Sequence, residues 1–136
     1  MKKKTIYDAP NNTKITLLYT SDKNAVIKTI PKVHGLKEGS LDNCIGHAFW
    51  EYKESKGQIF IFVEDKYSKE KQIGVLAHEA LHTTHYVHDF NETVLQNNTQ
   101  ELYAHYIEWI MRNFVPIILE HNSGLRIVTG KHEVIS

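Results

Sequence analysis

The sequence predicts an α+β fold in which a small twisted N-terminal β-sheet packs on two long helices. Three observations carry that expectation. The apolar residues occur in short β-rich runs up to about residue 64 and then switch to the i, i+3, i+4, i+7 spacing of a helix. Strands come first and helices after, rather than in alternation, which separates the chain from parallel α/β architectures. The length of 136 residues, with 41% hydrophobic and 24% charged, suits one globular domain spanning 1–136.

The elements follow in chain order. Lys2, Lys3 and Lys4 read as a solubilising tail. Ile15 to Tyr19 and Ala25 to Ile30 are β-rich and separated by Thr20-Ser21-Asp22-Lys23-Asn24, a hairpin-loop composition. Pro31 ends the second run, and His34 to Ser40 reads as loop. Leu41 to Tyr52 stays open: Cys44, Ile45, Ala48 and Phe49 fit a short helix, but Gly46 weakens it. Gln58 to Glu64, dense in Ile, Phe and Val and opened by Gly57, is the clearest strand. From Ser68 or Lys69 the residues Ile73, Leu76, Ala77, Ala80 and Leu81 mark a helix running to about His88. Asp89 to Asn98 is polar and reads as loop. Thr99 caps a second helix carrying Leu102, Ile107, Ile110, Met111 and Phe114, which Pro116 stops or kinks. Leu125 to Thr129 forms a last short segment.

Composition excludes several classes. Sixteen Lys and Arg balance sixteen Asp and Glu, so the basic excess of a nucleic-acid binder is missing. The run Ile59 to Val63 falls far short of the roughly 20 apolar residues that span a bilayer. The Lys-rich start leads into polar residues rather than an apolar stretch, so no signal peptide is visible and a cytoplasmic location is expected. Cys44 is the only cysteine, so no intramolecular disulfide can form. Histidine is the anomaly: nine in all, four of them between His78 and His88.

His78-Glu79-Ala80-Leu81-His82 is an HExxH motif. On a helix, positions i and i+4 share a face, so two imidazoles can reach one zinc ion. Glu79 projects about 100° round the helix from His78, beside the metal, where a general base can take a proton from a metal-activated water. With nine histidines the bare pattern is weakly specific. Its place inside a well-patterned helix, a short loop after the strongest strand, raises it.

Two histidines alone make a weak site, and two third ligands compete. Glu101 lies at the start of the second helix, after a loop that could return it to the metal. His88 completes the run HExxHxxHxxH, the metzincin spacing with His85 in place of the turn-forming glycine. On a continuing helix His88 points away from His82, which favours Glu101.

The strand Gln58 to Val63, the segment Val75 to His82 and the stretch Glu101-Leu102-Tyr103-Ala104 together resemble the gluzincin metallopeptidases, in their very small single-domain and phage-encoded forms. The resemblance covers about residues 57 to 115. It implies a zincin-like fold with an active-site helix and a glutamate helix, and one Zn2+ per chain held by His78, His82 and Glu101. It makes Glu79 the catalytic base, and the strand 58–64 a cleft rim that pairs with an extended peptide or protein substrate. In place of the acidic residue that thermolysin-like members carry four positions after the glutamate ligand, this chain has His105.

The remaining candidates carry less. Tyr103 and Tyr106 could stabilise an oxyanion or support the ligands, His85 could bind substrate, and Cys44 could act as an inhibitory ligand. His121 and His132 could approach from the C-terminal segment. Trp50 and Trp109 read as core or rim. The expected function is zinc-dependent hydrolysis of a peptide or isopeptide bond. The alternative is a catalytically inactive, metal-stabilised interaction module, phage-encoded and binding a host protein; oligomeric state is left open.

Overall fold

The computed structural model describes residues 1–91 and 96–121. Its elements are β1 (Lys2–Asp8), β2 (Thr13–Tyr19), α1 (Lys23–Thr29), a 3-10 turn (Lys32–His34), β3 (Gly46–Lys53), β4 (Lys56–Val63), α2 (Lys69–Phe90) and α3 (Gln100–Glu120). Among the described residues the architecture is α+β: a four-stranded mixed sheet of order β1-β2-β4-β3 with three α-helices. The central pair, β2 and β4, is parallel, and both outer pairs are antiparallel.

Side-chain alternation divides the core in two. Ile15, Leu17 and Tyr19 of β2 and Ile59, Ile61 and Val63 of β4 turn to one face, where they meet Leu76, Ala80 and Val87 of α2 and Ile110, Phe114 and Ile118 of α3. Leu18, Phe60 and Phe62 turn to the other and meet Val26 and Ile30, with Phe49 and Leu41. A strand covered on both faces needs apolar residues at every position, which explains the unbroken run Ile59 to Val63. Burying each such Leu, Ile or Phe contributes about 1.5–3 kcal/mol.

The two long helices run antiparallel. Tyr103, near the start of α3, packs on His85 and His88 toward the end of α2. Lys69, at the start of α2, donates to the carbonyls of Ile118 (2.7 Å) and His121 (2.8 Å) at the end of α3.

Several expectations change. Ala25 to Ile30 is not a strand: Lys23–Thr29 is helical, with the Asp22 carboxylate accepting from Ala25 N. Val26 and Ile30, four apart, bury on the Phe-rich face, so packing overrides their β preference. The hairpin expected across 20–24 is therefore absent. The hairpins are β1–β2, through residues 9–12, and β3–β4, through Glu54 and Ser55. Lys2 to Lys4 are not a tail but part of edge strand β1, and Lys4 Nζ donates to Asn113 O at 3.1 Å. The open stretch Leu41 to Tyr52 resolves as a strand from Gly46 onward.

The helices agree more closely. α2 runs to Phe90, past the expected end at His88, and α3 starts directly after Thr99 as expected, although the Thr99 hydroxyl accepts from Gln96 N and makes no capping bond to the helix. Pro116 does not stop α3, which continues to Glu120. Leu125 to Thr129 lies outside the described residues. No helix among the described residues is long and apolar enough to cross a membrane.

Candidate functional site

The motif helix is anchored at its first turn. Ser68 caps it by accepting from Lys71 N. Gln72, fully buried, accepts from the Tyr19 hydroxyl and donates to the carbonyls of Asp65 (3.1 Å) and Tyr67 (2.5 Å). These bonds tie the start of α2 to the C-terminal ends of β2 and β4. Downstream, Leu76, Ala80, Thr83, Thr84 and Val87 face the core, which turns His78 and His82 to the exposed side.

There the two imidazoles meet. Their Nε2 atoms stand 3.2 Å apart, with ring centroids at 4.9 Å and planes at 74°. Two nitrogens bound to one tetrahedral zinc at 2.0–2.1 Å would be separated by about 3.3 Å. The pair therefore fits two ligand positions of a zinc ion, and the same spacing also suits one N–H···N hydrogen bond.

Glu79 turns inward from its neighbours and is 6% exposed. Burial pushes its carboxyl above the usual range, while the nearby His78 works in the opposite direction. Its Oε2 lies 3.5 Å from where a side chain at position 46 would begin. Gly46 opens β3, and a Cβ there would come within 3.0 Å of Val75 Cγ1. Only glycine lets the edge strand approach α2 so closely. The result is a cleft of about 580 Å³ between residues 43–46 and one side of α2, lined by Ile45, Gly46, Val75, His78 and Glu79 among others.

The other expected residues lie elsewhere. Glu101 sits in the first turn of α3, its side chain 82% exposed, 3.5 Å from His105 Nε2. It does not join the histidine pair. The reason is helical length: α2 continues eight residues beyond His82, about 12 Å of rise, before the chain turns back. The start of α3 is thus level with the far end of α2. His88 is buried on the α3 side, with Nδ1 donating to Thr84 O (2.7 Å) and its ring against Tyr103 and Tyr106. Tyr103 is buried in that same contact, and the Tyr106 hydroxyl donates to Asp8 Oδ2 at 2.8 Å.

His85 is exposed and edges against Tyr103, and His121 stands 3.4 Å from Asp65. Cys44 lines the cleft as a half-buried thiol. His132 is outside the described residues. Among those described, no three His, Cys, Asp or Glu side chains stand together as a ready-made metal site.

The strand 58–64 also needs correction as a substrate rim. Within β4 it is paired with β2 on one side and β3 on the other, so its backbone groups are committed. The outer strand on this side of the sheet is β3. Facing α2 from β3, Trp50 lies 5.2 Å from Tyr86 and 5.7 Å from Phe90. Tyr86 in turn stacks 6.4 Å from His82, and burial, then the Glu79 charge, raise its phenol above the ordinary value. Sequence reasoning missed Tyr86, although its place four residues after His82 put it on the same stripe.

No known protein family, curated protein or solved structure matches the chain.

Proposed function

We propose that the chain is a zincin-like, zinc-dependent peptidase acting on an extended peptide or isopeptide substrate. The observation that carries the reading is the His78–His82 pair at the bite of a zinc ion, with the buried Glu79 beside it at the mouth of a cleft. A bound zinc would polarise the scissile carbonyl and acidify the attacking water. His78 and His82 would hold it. Glu79 would accept the water's proton and deliver it to the leaving amine. The substrate lies in extended form along the outer edge of β3, with side chains reaching Trp50 and Tyr86. Glu101 would serve as third ligand only if it left His105 and the first turn of α3 moved toward His82, against the packing of Tyr103 on His85 and His88.

A quenched-fluorescence peptide library, incubated with zinc-loaded protein with and without chelator, tests the reading. Expected are chelator-sensitive cleavage and its loss in Glu79→Gln with zinc retained. Stoichiometric zinc with no turnover on any peptide would replace this reading with the metal-stabilised interaction module. Absence of zinc binding by well-folded protein would remove both.

A further inference from the structure

A second cavity of about 540 Å³ lies behind α2, away from the histidine pair, where the β1–β2 turn meets α2 and α3. Its volume is in the range of small-molecule sites. Tyr106, Trp109, Leu102 and Pro10 give it an apolar and aromatic wall, and Asp8 and His88 are its buried polar groups.

The hydrogen-bond directions around Asp8 run one way. The Tyr106 hydroxyl spends its proton on Asp8 Oδ2 and keeps only acceptor lone pairs. His88 Nδ1 must carry its proton, because the Thr84 carbonyl 2.7 Å away can only accept. Whenever the ring carries a single proton, Nε2 is then its accepting nitrogen. Asp8 accepts from Asn11 N (3.2 Å) at Oδ1 and from Asn11 Nδ2 (2.6 Å) and Tyr106 at Oδ2. Oδ1 still has room for another donor. The Tyr7 hydroxyl is turned to Asn12, and His105 Nε2 to Glu101. Among the lining side chains the Trp109 indole N–H is a donor with no hydrogen bond among the described residues, and no Lys or Arg lines the cavity.

A group of acceptors around one carboxylate, walled by aromatic rings, matches a ligand that only donates and carries positive charge. An ammonium has three donors and no acceptor, and aromatic faces attract cations. We propose that this cavity is a binding site for a primary ammonium borne on an aromatic or other flat apolar body. The nitrogen sits among Asp8, Tyr106 and His88, and the apolar body lies against Trp109 and Leu102. The site is independent of the histidine pair and of the peptidase reading.

The test uses three probes of nearly equal size on the full chain: phenethylammonium, 2-phenylethanol and 3-phenylpropionate. Binding is followed by calorimetry and by NMR shifts of residues 8–11 and 102–109. Phenethylammonium is expected to bind at least about tenfold more tightly than the alcohol, and the carboxylate not to bind. Asp8→Asn should cost the ammonium about tenfold or more, since a charged hydrogen bond becomes a neutral one. Leu102→Arg, at an exposed wall position, should abolish binding without disturbing the fold, and it covers the case in which Asp8→Asn unfolds. Equal binding of the three probes, no binding of the ammonium, or undiminished binding by a folded variant would overturn the proposal.

Discussion

Gly46→Ala is the smallest change that probes how the edge strand meets the motif helix. The added methyl would come within 3.0 Å of Val75 Cγ1 and at 3.1 Å from Phe62 O, while its 3.5 Å approach to Glu79 Oε2 is ordinary contact. Val75 can yield by repacking; the Phe62 carbonyl, held in the sheet, cannot move as easily. Overpacking of this kind costs about 1–3 kcal/mol. For a domain of this size that corresponds to a melting temperature lower by about 4–12 °C. Urea melts and thermal scans at pH 7 would measure it, with Val75→Ala as the partner variant. Removing the colliding methyl should cut the Gly46→Ala penalty by more than half, a coupling well above about 0.5 kcal/mol. His78 lines the same cleft, but the atoms nearest the added methyl belong to Val75, Phe62 and Glu79 and not to either histidine, so zinc affinity should change little. Wild-type stability in Gly46→Ala, or an undiminished penalty beside Val75→Ala, would refute the reasoning.

Further outcomes follow from other sites. Metal-free wild type should lose stability as pH rises from the ordinary carboxyl value of 4.5 through the raised value of Glu79, because the folded state holds that proton more tightly than the unfolded chain does. Glu79→Gln should flatten that part of the pH–stability curve measured by urea unfolding, and an unchanged slope would remove the buried carboxyl as its cause. If Glu101 closes on the metal, Glu101→Ala should weaken zinc by more than about 100-fold, beyond what loss of a supporting residue costs. His88→Ala should leave zinc affinity near wild type while lowering stability by about 2 kcal/mol or more, since it empties a buried site against two tyrosines. Competition with a chromogenic chelator and parallel melts separate the two. Glu54 and Ser55 both hold positive φ in the β3–β4 turn, so Ser55→Gly should add about 1 kcal/mol in urea unfolding.

The helical half of the fold was legible because its signals are local. Thr99 before the apolar stripe of α3, and Ile73 to Leu81 in α2, specify helices from spacing alone. α1 was not legible. Its Val26, Ile27 and Thr29 have β-branched side chains, as does Ile30 just after it, and the Phe60–Phe62 face on which Val26 and Ile30 bury, with the Asp22 cap, decides for helix. β3 was ambiguous because Gly46 argues against a helix without revealing that Val75 demands it. At the site, the spacing of His78, Glu79 and His82 reads directly from helix geometry. The placement of Glu101 does not, because it depends on how far α2 continues. Asp89 and Phe90, which read as loop, extend that helix and set where α3 begins.

The parallel pairing of β2 with β4 also sets an order of assembly. β1–β2 and β3–β4 each close through a short turn, and such hairpins form in microseconds. The seam between them joins residues 13–19 to 57–63 and can register only after everything between has been synthesised and looped back. Until then the inner edge of β2, carrying Ile15, Leu17 and Leu18, is an unpaired apolar strand. The lysines of β1 guard the opposite side of that hairpin and give this edge no cover. A nascent or refolding chain is therefore most vulnerable to intermolecular pairing in the interval before β4 arrives, and slower synthesis across residues 20 to 56 would lengthen that exposure.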